Sequence, residues 1–583
     1  GFYVLRTGGS AAACADFFQG LRQQLGQTRD RDRWRHSAFP LRAVNFGNVL
    51  RVPNIWVEVH GSIHGGQGPT AAPGVGKRTT LLAPARFLCR RKIRLEHGRK
   101  ILGGQGMPDE PGKLSPQPST TPSLTPSDQA ATTPRGDAAL LHPWPHPTQP
   151  MIPVYNKQNP VQSYLAIRRD PVTFLADVIR ESGDFARVNV LIFRFHLVND
   201  PALIREALSD HSEQLIIKGG VSHGLARLIG NGILTNRGDQ WRASRAQLQP
   251  LFHQGAMRAA LPIITARVQE TLERWRTSFS GQPLSIHREL LALSFRIACS
   301  TLFNHLPTWD AALQFADAIW VLQGDGMQRH LDGMDYVSWL PLPRNRKVNA
   351  ARAVLYRLAQ DAVEQGAGQT VDEILSILFA GTESPVNTLC FALKLLEEHP
   401  AWCSKILADL AQHSPGAPHD DVDRFDVLAQ VLSECIRLYP AGWAFERYAE
   451  QDVQLGGERV PKGSRLLFSP FLMHRNTRFW RDPERFDPLR FTAGPNAAEG
   501  VPKFGYMPFG AGPRSCIGAR LAQAEMRIAL RMILEQCTWK TAHQPGEVPL
   551  NAEGSFKIRL SRPLMLNLEV LPNGTRHNTQ PVN

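Results

Sequence analysis

The sequence predicts a mainly α-helical catalytic region with small β-sheets, preceded by a long segment of different composition. Apolar residues recur at three- and four-residue spacing through most of residues 155–571, which is typical of helices packed on a core. Strand-like alternation is confined to short pieces of the same region. Residues 1–150 show neither periodicity convincingly, so the folded part is expected to begin near residue 151.

The predicted elements follow this periodicity along the chain. Helical spacing covers residues 172–182, 201–209, 241–251, 257–278, 284–303, 350–365, 427–438 and 519–536. Strand-like pieces lie at residues 185–190, 193–198, 453–460 and 564–570. Long helices joined by short strands favour one large mainly α domain over residues 151–583.

The first 150 residues carry most of the net charge. They hold 19 Lys and Arg against 9 Asp and Glu, a net of +10 out of the chain's +14. Residues 107–150 are dense in Pro, Ser and Thr, a composition that buries too little apolar area to fold alone. We expect residues 1–150 to be a disordered or non-native extension, with a natural start near Met151. Because the remaining chain is nearly balanced, the charge does not indicate nucleic-acid binding.

The segment around Cys516 has the composition of a metal-thiolate loop. Gly510 and Gly512 permit left-handed turns that direct backbone N–H groups at a sulfur, and Arg514 adds a positive charge. Gly518 leaves room for a flat macrocycle, and the helix that follows would present its positive dipole end to the thiolate. Phe509 supplies an apolar cover that keeps water from the sulfur. These features predict a haem iron bound by Cys516.

The loop resembles the signature Phe-x-x-Gly-x-Arg-x-Cys-x-Gly of the cytochrome P-450 family. Five positions agree at fixed spacing: Phe509, Gly512, Arg514, Cys516 and Gly518. The resemblance implies the cytochrome P-450 fold, a mainly α prism with haem b between a distal and a proximal helix. It covers about three quarters of the chain.

The resemblance also assigns a structural triad behind the loop. Glu434 and Arg437 match the family's Glu-x-x-Arg helix, and Arg490 stands where a second arginine locks that pair. Leu489 departs from the usual glutamate at its position, so one local ion pair is expected to be missing.

The two haem propionates need cationic partners. Trp241 and Arg245 resemble the family's Trp-x-x-x-Arg and lie at i, i+4 on one predicted helix face. Arg447 follows the Glu-x-x-Arg helix at the family's spacing. Together with Arg514, these residues are predicted to hold the propionates.

The helical run from Asp372 is interrupted by Gly381, Glu383, Ser384 and Pro385 within two turns. A proline inside a helix costs about 3 kcal/mol or more of helix stability, so we expect this distortion to have a functional reason. The resemblance implies a distal helix that opens where dioxygen binds, with Glu383 and Ser384 relaying protons. Ser384 replaces the usual threonine and Pro385 a second hydroxyl residue. The upstream connection is short, so we expect a shortened distal helix.

The predicted function is a haem-thiolate monooxygenase that inserts one oxygen atom of O2 into an apolar substrate such as a lipid, terpenoid or carotenoid. Residues 216–234, 315–339, Trp443 and Phe445 are expected to line the substrate pocket. Electrons from NAD(P)H are expected through a separate ferredoxin or flavodoxin and its reductase. Lys503, Arg520 and Arg527 are candidate docking residues for that acidic partner.

Two other functions remain open at this point. A peroxide-driven peroxygenase or isomerase would share the haem loop and could dispense with the proton relay. A non-enzymatic haem sensor or carrier would show ligation without turnover.

The remaining sequence features concern location. No run reaches the roughly 18 apolar residues of a membrane helix, so no integral membrane anchor is expected. The eight cysteines are scattered without a disulfide or metal-cluster spacing. These features favour a cytoplasmic protein of bacterial type.

Overall fold

The computed structural model describes residues 50–52, 55–57, 152–191, 193–217, 220–279, 282–326, 339–413, 424, 426–494, 498–542, 552–554 and 557–572. The chain divides into two compact units, Gly1–Arg135 and Gly136–Asn583. In the first unit, the described residues form one antiparallel pair, β1 (Leu50–Val52) with β2 (Ile55–Val57). The extension predicted at residues 1–150 otherwise lies outside the described residues.

The second unit is mainly α-helical, as the periodicity predicted. Its helices are α1 (Pro160–Arg169), α2 (Pro171–Ser182), α3 (Pro201–Arg205), α4 (Gly220–Ile229), α5 (Gly238–Leu248), α6 (Gln254–Ser278), α7 (Ile286–Leu302), α8 (Trp309–Val321), α9 (Pro343–Glu364), α10 (Val371–Gly381), α11 (Glu383–Glu398), α12 (Pro400–His413), α13 (Val427–Leu438), α14 (Pro470–Met473) and α15 (Ala519–Gln536). Short π-helical turns follow α3 and α8, at Glu206–Asp210 and Leu322–Gly326. Two 3₁₀ turns lie at Gln249–Phe252 and Pro488–Phe491.

The strands form small sheets at the edges of the helical core. They are β3 (Phe185–Val190), β4 (Phe193–Val198), β5 (Leu215–Ile216), β6 (Leu284–Ser285), β7 (Phe445–Ala449), β8 (Val453–Leu455), β9 (Glu458–Val460), β10 (Arg465–Phe468), β11 (Cys537–Thr541), β12 (Ala552–Gly554), β13 (Ile558–Leu560) and β14 (Met565–Val570). One sheet has the order β3-β4-β10-β7-β5, in which only β4 and β10 pair in parallel. The order β11-β14-β6 forms a second sheet, and β8-β9 and β12-β13 are hairpins.

Several element boundaries differ from the sequence predictions, and three of them have a clear physical reason. The helix expected from residue 284 begins at Ile286, because Leu284 and Ser285 pair with β14. The strand expected over residues 453–460 is a hairpin that turns at Gly456 and Gly457, both with positive φ. The helix expected over residues 350–365 already starts at Pro343, where proline suits the first helical turn.

The core is formed mainly by α7, α8, α10, α11, α13 and α15. Almost all of α7 is buried, including Leu290, Phe295 and Ile297, and α11 packs against both α7 and α15. By length and composition, one described segment could cross a membrane, Val371–Glu398. However, 83% of its apolar window is buried inside the protein, as in a core helix of a globular protein.

Candidate haem-thiolate site

The Cys516 loop folds back on itself directly before α15. The backbone N–H of Cys516 donates to the Phe509 carbonyl at 2.9 Å, and that of Ser515 donates to the Gly512 carbonyl at 3.0 Å. Gly510 and Gly512 have φ of +70° and +72°, the left-handed turns that the sequence predicted. These turns bring Cys516 to the N-terminus of α15, which begins three residues later at Ala519.

Gly512 is required for a second reason. A Cβ atom at this position would lie 2.1 Å from the carbonyl oxygen of Leu208, so the loop backbone passes against the π-helical turn after α3. Gly518 is different, because an added Cβ would meet only a Phe252 ring carbon at 3.5 Å, an ordinary contact. The protein's own atoms thus leave space beside Gly518, where the prediction places a flat macrocycle.

The Cys516 side chain faces a space enclosed by protein. It is exposed, yet burial by surrounding atoms raises the pKa of its thiol. Both observations hold together only for a side chain that faces inward into a cavity. The Gly518 backbone N–H and the positive charges of Arg245 and Lys557 act in the opposite direction and lower the thiol pKa. This environment suits a thiolate whose charge is shared with a cation.

Three arginines predicted for the propionates converge near this loop. Arg245 donates from Nη1 to the Ser515 carbonyl at 2.9 Å, and Arg514 donates from Nη2 to the Asn236 carbonyl at 2.8 Å. The Arg514 guanidinium lies over the Trp241 ring at 4.1 Å. Trp241, Arg447 and Arg514 line one pocket.

The described residues offset the charge of this arginine cluster only weakly: Glu446 acts on Arg447, and the Cys516 thiolate would act on Arg245. Burial lowers the pKa of Arg447 to about 10, and burial with repulsion from Arg447 and Arg245 lowers that of Arg514 to about 9. Among the described residues, no carboxylate lies within ion-pair distance of Arg245, Arg447 or Arg514, and Nη1 of Arg514 is a buried donor without a partner. Clustered buried cations require anionic partners. The residues therefore fit a haem that presents its two propionates here.

The Glu434–Arg437 pair lies behind the loop and is completely buried. Arg437 donates from Nε and Nη2 to the two carboxylate oxygens of Glu434 at 2.7 and 2.8 Å. It also donates to the carbonyls of His474, Pro483 and Arg485. One guanidinium thereby ties α13 to three points of the segment that precedes the Cys516 loop.

Arg490 lies where the triad prediction placed it. Its Nε is 3.4 Å from Oε1 of Glu434, and its Nη2 donates to the Asp482 carbonyl at 2.8 Å. The contact with Glu434 is an ion pair without hydrogen-bond geometry. Leu489 is 55% exposed, so nothing in the core depends on its side chain.

The distal helix is interrupted at Thr382, between α10 with 11 residues and α11 with 16. Ser384 donates from its hydroxyl to the Ala380 carbonyl at 2.9 Å and keeps its lone pairs free to accept. Glu383 is fully buried, and burial raises the pKa of its carboxyl. Gly381 is exposed and Ser384 half-buried in a helix that is otherwise buried, so these two residues face the internal space.

The structure corrects one prediction about redox docking. Arg527 is 5% exposed and forms a buried ion pair with Asp426, so it cannot meet a partner protein. Its place on α15 faces the core and not the surface. Lys503 and Arg520 are exposed.

Sequence reasoning missed Lys557, which approaches both halves of the distal helix. Its ammonium donates to the carbonyls of Phe379 and Ala380 and lies 3.7 Å from Oε2 of Glu383. The sequence carried one signal, the lysine between two apolar residues in Phe556-Lys557-Ile558. Such alternation ordinarily predicts a surface strand.

Comparison of the sequence with protein-family models identifies the family of this chain. The cytochrome P-450 family model matches residues 150–374 and 366–566. The chain belongs to the cytochrome P-450 family. Among solved structures, the crystal structure of CYP175A1 from Thermus thermophillus is similar with a TM-score of 0.58 and 23% identity, covering 72% of this chain and 100% of that one. At that identity the similarity supports the fold.

Curated relatives include bacterial oxygenases. Cyclooctat-9-en-7-ol 5-monooxygenase of Streptomyces melanosporofaciens is 28% identical over 412 residues, with 66% of this chain and 87% of the relative covered. Pentalenene oxygenase of Streptomyces avermitilis is 25% identical over 406 residues, with 65% and 88% covered. The predicted fold and enzyme class are therefore confirmed. This cytochrome P-450 is an oxidoreductase that incorporates oxygen by means of a cysteine-ligated haem.

Proposed function

We propose that this cytochrome P-450 hydroxylates a small apolar substrate, with Cys516 as the haem ligand. The observation that carries the assignment is the Cys516 side chain, which faces an enclosed space between the glycine turns and the start of α15. A bound haem supplies activation of dioxygen, and a thiolate ligand favours cleavage of the O–O bond. The chain's residues supply binding, orientation and protons.

Haem orientation is assigned to the arginine cluster. Arg245, Arg447 and Arg514 would neutralise the two propionates, with Trp241 held flat against Arg514. Arg447 is buried and Arg245 and Arg514 are half-buried, so three positive charges would face two negative ones. The excess positive charge would favour the thiolate form of Cys516. Phe509 and Gly518 shape the space around the sulfur.

Proton delivery is assigned to Glu383 and Ser384. The Ser384 hydroxyl donates to the Ala380 carbonyl, which orients it and leaves its lone pairs free to accept a hydrogen bond from a proton donor. Rotation of the O–H away from Ala380 would let Ser384 pass its own proton to the site while it takes up another. Glu383 directly precedes it and carries the only carboxyl in the described part of the helix break. A buried carboxyl with a raised pKa is suited to hold and release protons near neutral pH.

The substrate class is supported by the relatives and by the site. Their names denote a hydrocarbon, pentalenene, and a hydrocarbon alcohol, cyclooctat-9-en-7-ol. Phe315, in the segment expected to line the pocket, and Phe379, at the end of α10, are buried apolar side chains. The relatives' names favour a small cyclic terpenoid over a fatty lipid or a long carotenoid. Part of the predicted lining, residues 327–338, lies outside the described residues.

Substitutions at the exposed candidate docking residues test the proposed electron supply by an external ferredoxin or flavodoxin. Replacing Lys503 and Arg520 with glutamate should slow reduction by an acidic ferredoxin and leave the reduced carbonyl spectrum unchanged. Arg194→Glu on β4, also an exposed arginine, is the control for charge reversal. Equal reduction rates in all variants would remove these residues from the docking surface.

The choice between a monooxygenase and the alternative functions is tested by finding which oxidant supports turnover. We expect product from a terpenoid library with NAD(P)H, a reductase pair and O2. Turnover with hydrogen peroxide alone would assign a peroxygenase or isomerase, and haem binding with no substrate-dependent consumption of reductant would assign a sensor or carrier. A spin-state shift of the ferric haem identifies which compounds enter the pocket.

We also propose that residues 151–583 form the whole catalytic domain. The family model begins at residue 150, which supports this boundary. Removal of residues 1–150 should leave haem content and turnover unchanged. Loss of either would show that the N-terminal segment contributes to the enzyme. A cytoplasmic location remains a prediction of the composition.

A further inference from the structure

A buried lysine lies at the break in the distal helix. Lys557 directly precedes β13 and is 6% exposed. Its Nζ donates to the Phe379 carbonyl at 2.9 Å and to the Ala380 carbonyl at 3.1 Å. A lysine placed in the core without a specific partner would be strongly unfavourable, so these contacts require an explanation.

The two acceptors are carbonyls near the end of α10. Carbonyls in the last turn of a helix lack intrahelical partners and favour a nearby cation. The Lys557 ammonium lies at this end of α10, close to Thr382, the residue that separates α10 from α11. Its position therefore stabilises the C-terminal end of α10.

The same ammonium connects the two predicted relay residues. Ala380 accepts from Lys557 at 3.1 Å and from the Ser384 hydroxyl at 2.9 Å, so both donors meet at one oxygen. On its other side, Lys557 lies 3.7 Å from Oε2 of Glu383. Neither Glu383 oxygen has a hydrogen-bond partner that meets geometric criteria among the described residues. Lys557 is thus the closest charge to the buried acid.

The surroundings of Glu383 contain few other charges. Arg559 on β13 acts on it electrostatically, and Oδ1 of the nearby Asn387 on α11 accepts from Nε2 of His287 on α7. Burial lowers the pKa of His287 to about 4, so that ring is neutral. Cys516 interacts with Lys557 electrostatically across the site. Burial raises the pKa of Glu383, and the positive charges on Lys557 and Arg559 are the main groups that oppose this shift.

We propose that Lys557 is a positioning residue for proton delivery, which holds the last carbonyls of α10 in place and supplies the charge that stabilises the ionised form of Glu383 beside Ser384. The inference rests on the relay function proposed for Glu383 and Ser384. The β12–β13 hairpin, which carries Lys557, would then take part in proton delivery in addition to any contact with substrate. Burial raises the pKa of Glu383 and lowers that of Lys557, and each charge offsets the shift of the other.

The test uses three substitutions at one position. Lys557→Met removes the charge and the donor, Lys557→Gln keeps a donor for the carbonyls without the charge, and Lys557→Arg keeps the charge. Lys394→Met is the control, because Lys394 is a partly exposed lysine on α11 that pairs with Glu398. Lys557→Gln keeps the proposal testable if Lys557→Met does not fold.

The first readout is infrared spectroscopy of the ferric resting holoenzyme at neutral pH, which requires no turnover. Glu525 should contribute a constant protonated carboxyl band in every variant, because burial raises its pKa to about 8. We expect additional protonated carboxyl intensity in Lys557→Met and Lys557→Gln relative to the wild type, Lys557→Arg and Lys394→Met. This added intensity should disappear when Glu383→Gln is introduced. Identical carboxyl spectra in folded Lys557→Gln and the wild type would overturn the proposal.

The second readout is the share of reductant that ends in product. Lys557→Gln should release several-fold more peroxide per NAD(P)H, and its best coupling should move to higher pH because the Glu383 pKa rises. Lys557→Arg should restore both. Unchanged coupling and pH profile would also overturn the proposal. Absence of turnover in the wild type would instead contradict the proposed function, while the infrared result would still report on the pair.

Discussion

Alanine at Gly512 should disrupt the haem loop, whereas alanine at Gly510 should be tolerated. The two glycines have nearly equal backbone conformations, φ +72° and +70°, so an alanine at either position carries a left-handed cost of about 1–2 kcal/mol. Their surroundings differ. At Gly510 an added Cβ meets nothing within 4 Å, but at Gly512 it would lie 2.1 Å from the Leu208 carbonyl oxygen.

The clash at Gly512 cannot be relieved by a side-chain rotation, because the opposing atom belongs to the backbone. The loop must therefore move, which adds about 1–3 kcal/mol of overpacking and breaks the bond from the Cys516 N–H to the Phe509 carbonyl. Gly512→Ala should lose roughly 2–5 kcal/mol of unfolding free energy and most of its haem. Gly510→Ala should lose only the conformational cost.

The assay combines urea unfolding of each variant with the haem-to-protein ratio and the reduced carbonyl spectrum. The difference between the variants isolates the close approach of Leu208, since the backbone conformation is matched. Equal losses of stability and haem in Gly510→Ala and Gly512→Ala would refute the reasoning.

The remaining predictions concern buried charges. Arg437→Met should destabilise the protein by about 3–5 kcal/mol in urea unfolding, because the buried Glu434 loses its bidentate partner and keeps only the longer ion pair with Arg490 and the Asp487 N–H. The exposed pair Arg459–Asp452 is the control, and Arg459→Met should cost less than about 1 kcal/mol; a similar loss in both would contradict the account. Burial raises the pKa of Glu525 from 4.5 to about 8, so the folded state holds a proton that the unfolded state releases. Stability should therefore fall by up to roughly 5 kcal/mol as pH rises from 4.5 through 8, and Glu525→Gln should remove that part of the pH dependence. A Glu525→Gln variant with an unchanged stability profile between about pH 5 and 9 would show that the carboxyl is not protonated in the fold.

The site residues that the sequence could identify are those with strong local signals. Gly510 and Gly512 stand beside a cysteine at fixed spacing, and their left-handed turns follow from the chemistry of a thiolate loop. The positions of Glu434 and Arg437 at i, i+3 on one helix predict their contact directly. Helix periodicity likewise placed α13 and α15 with their observed bounds.

Residues that depend on distant partners could not be placed in this way. Arg527 lies on a helix near the cysteine, and only the fold shows that Asp426, 101 residues away, accepts its guanidinium. Lys557 is separated from the Phe379 carbonyl by 178 residues, and short strands give no signal of what their ends contact. Periodicity reports which face of an element is apolar, but it does not report which charge enters the core.

The boundary errors have a similar cause. Leu284 and Ser285 continue the apolar pattern of α7, yet pairing with β14 draws them into a strand. Tertiary pairing overrides local propensity at such positions. The break between α10 and α11 was predicted because Pro385 and Gly381 disrupt a helix by themselves.

The central claim is a bond between the Cys516 sulfur and the haem iron, and the reduced carbonyl spectrum tests it most directly. The purified wild-type protein should show the red-shifted absorption band that a thiolate ligand gives, and Cys516→Ser should lose that band while Cys403→Ser, at another free cysteine, retains it. A wild-type band at the position of histidine-ligated haem, or the thiolate band persisting in Cys516→Ser, would contradict the account.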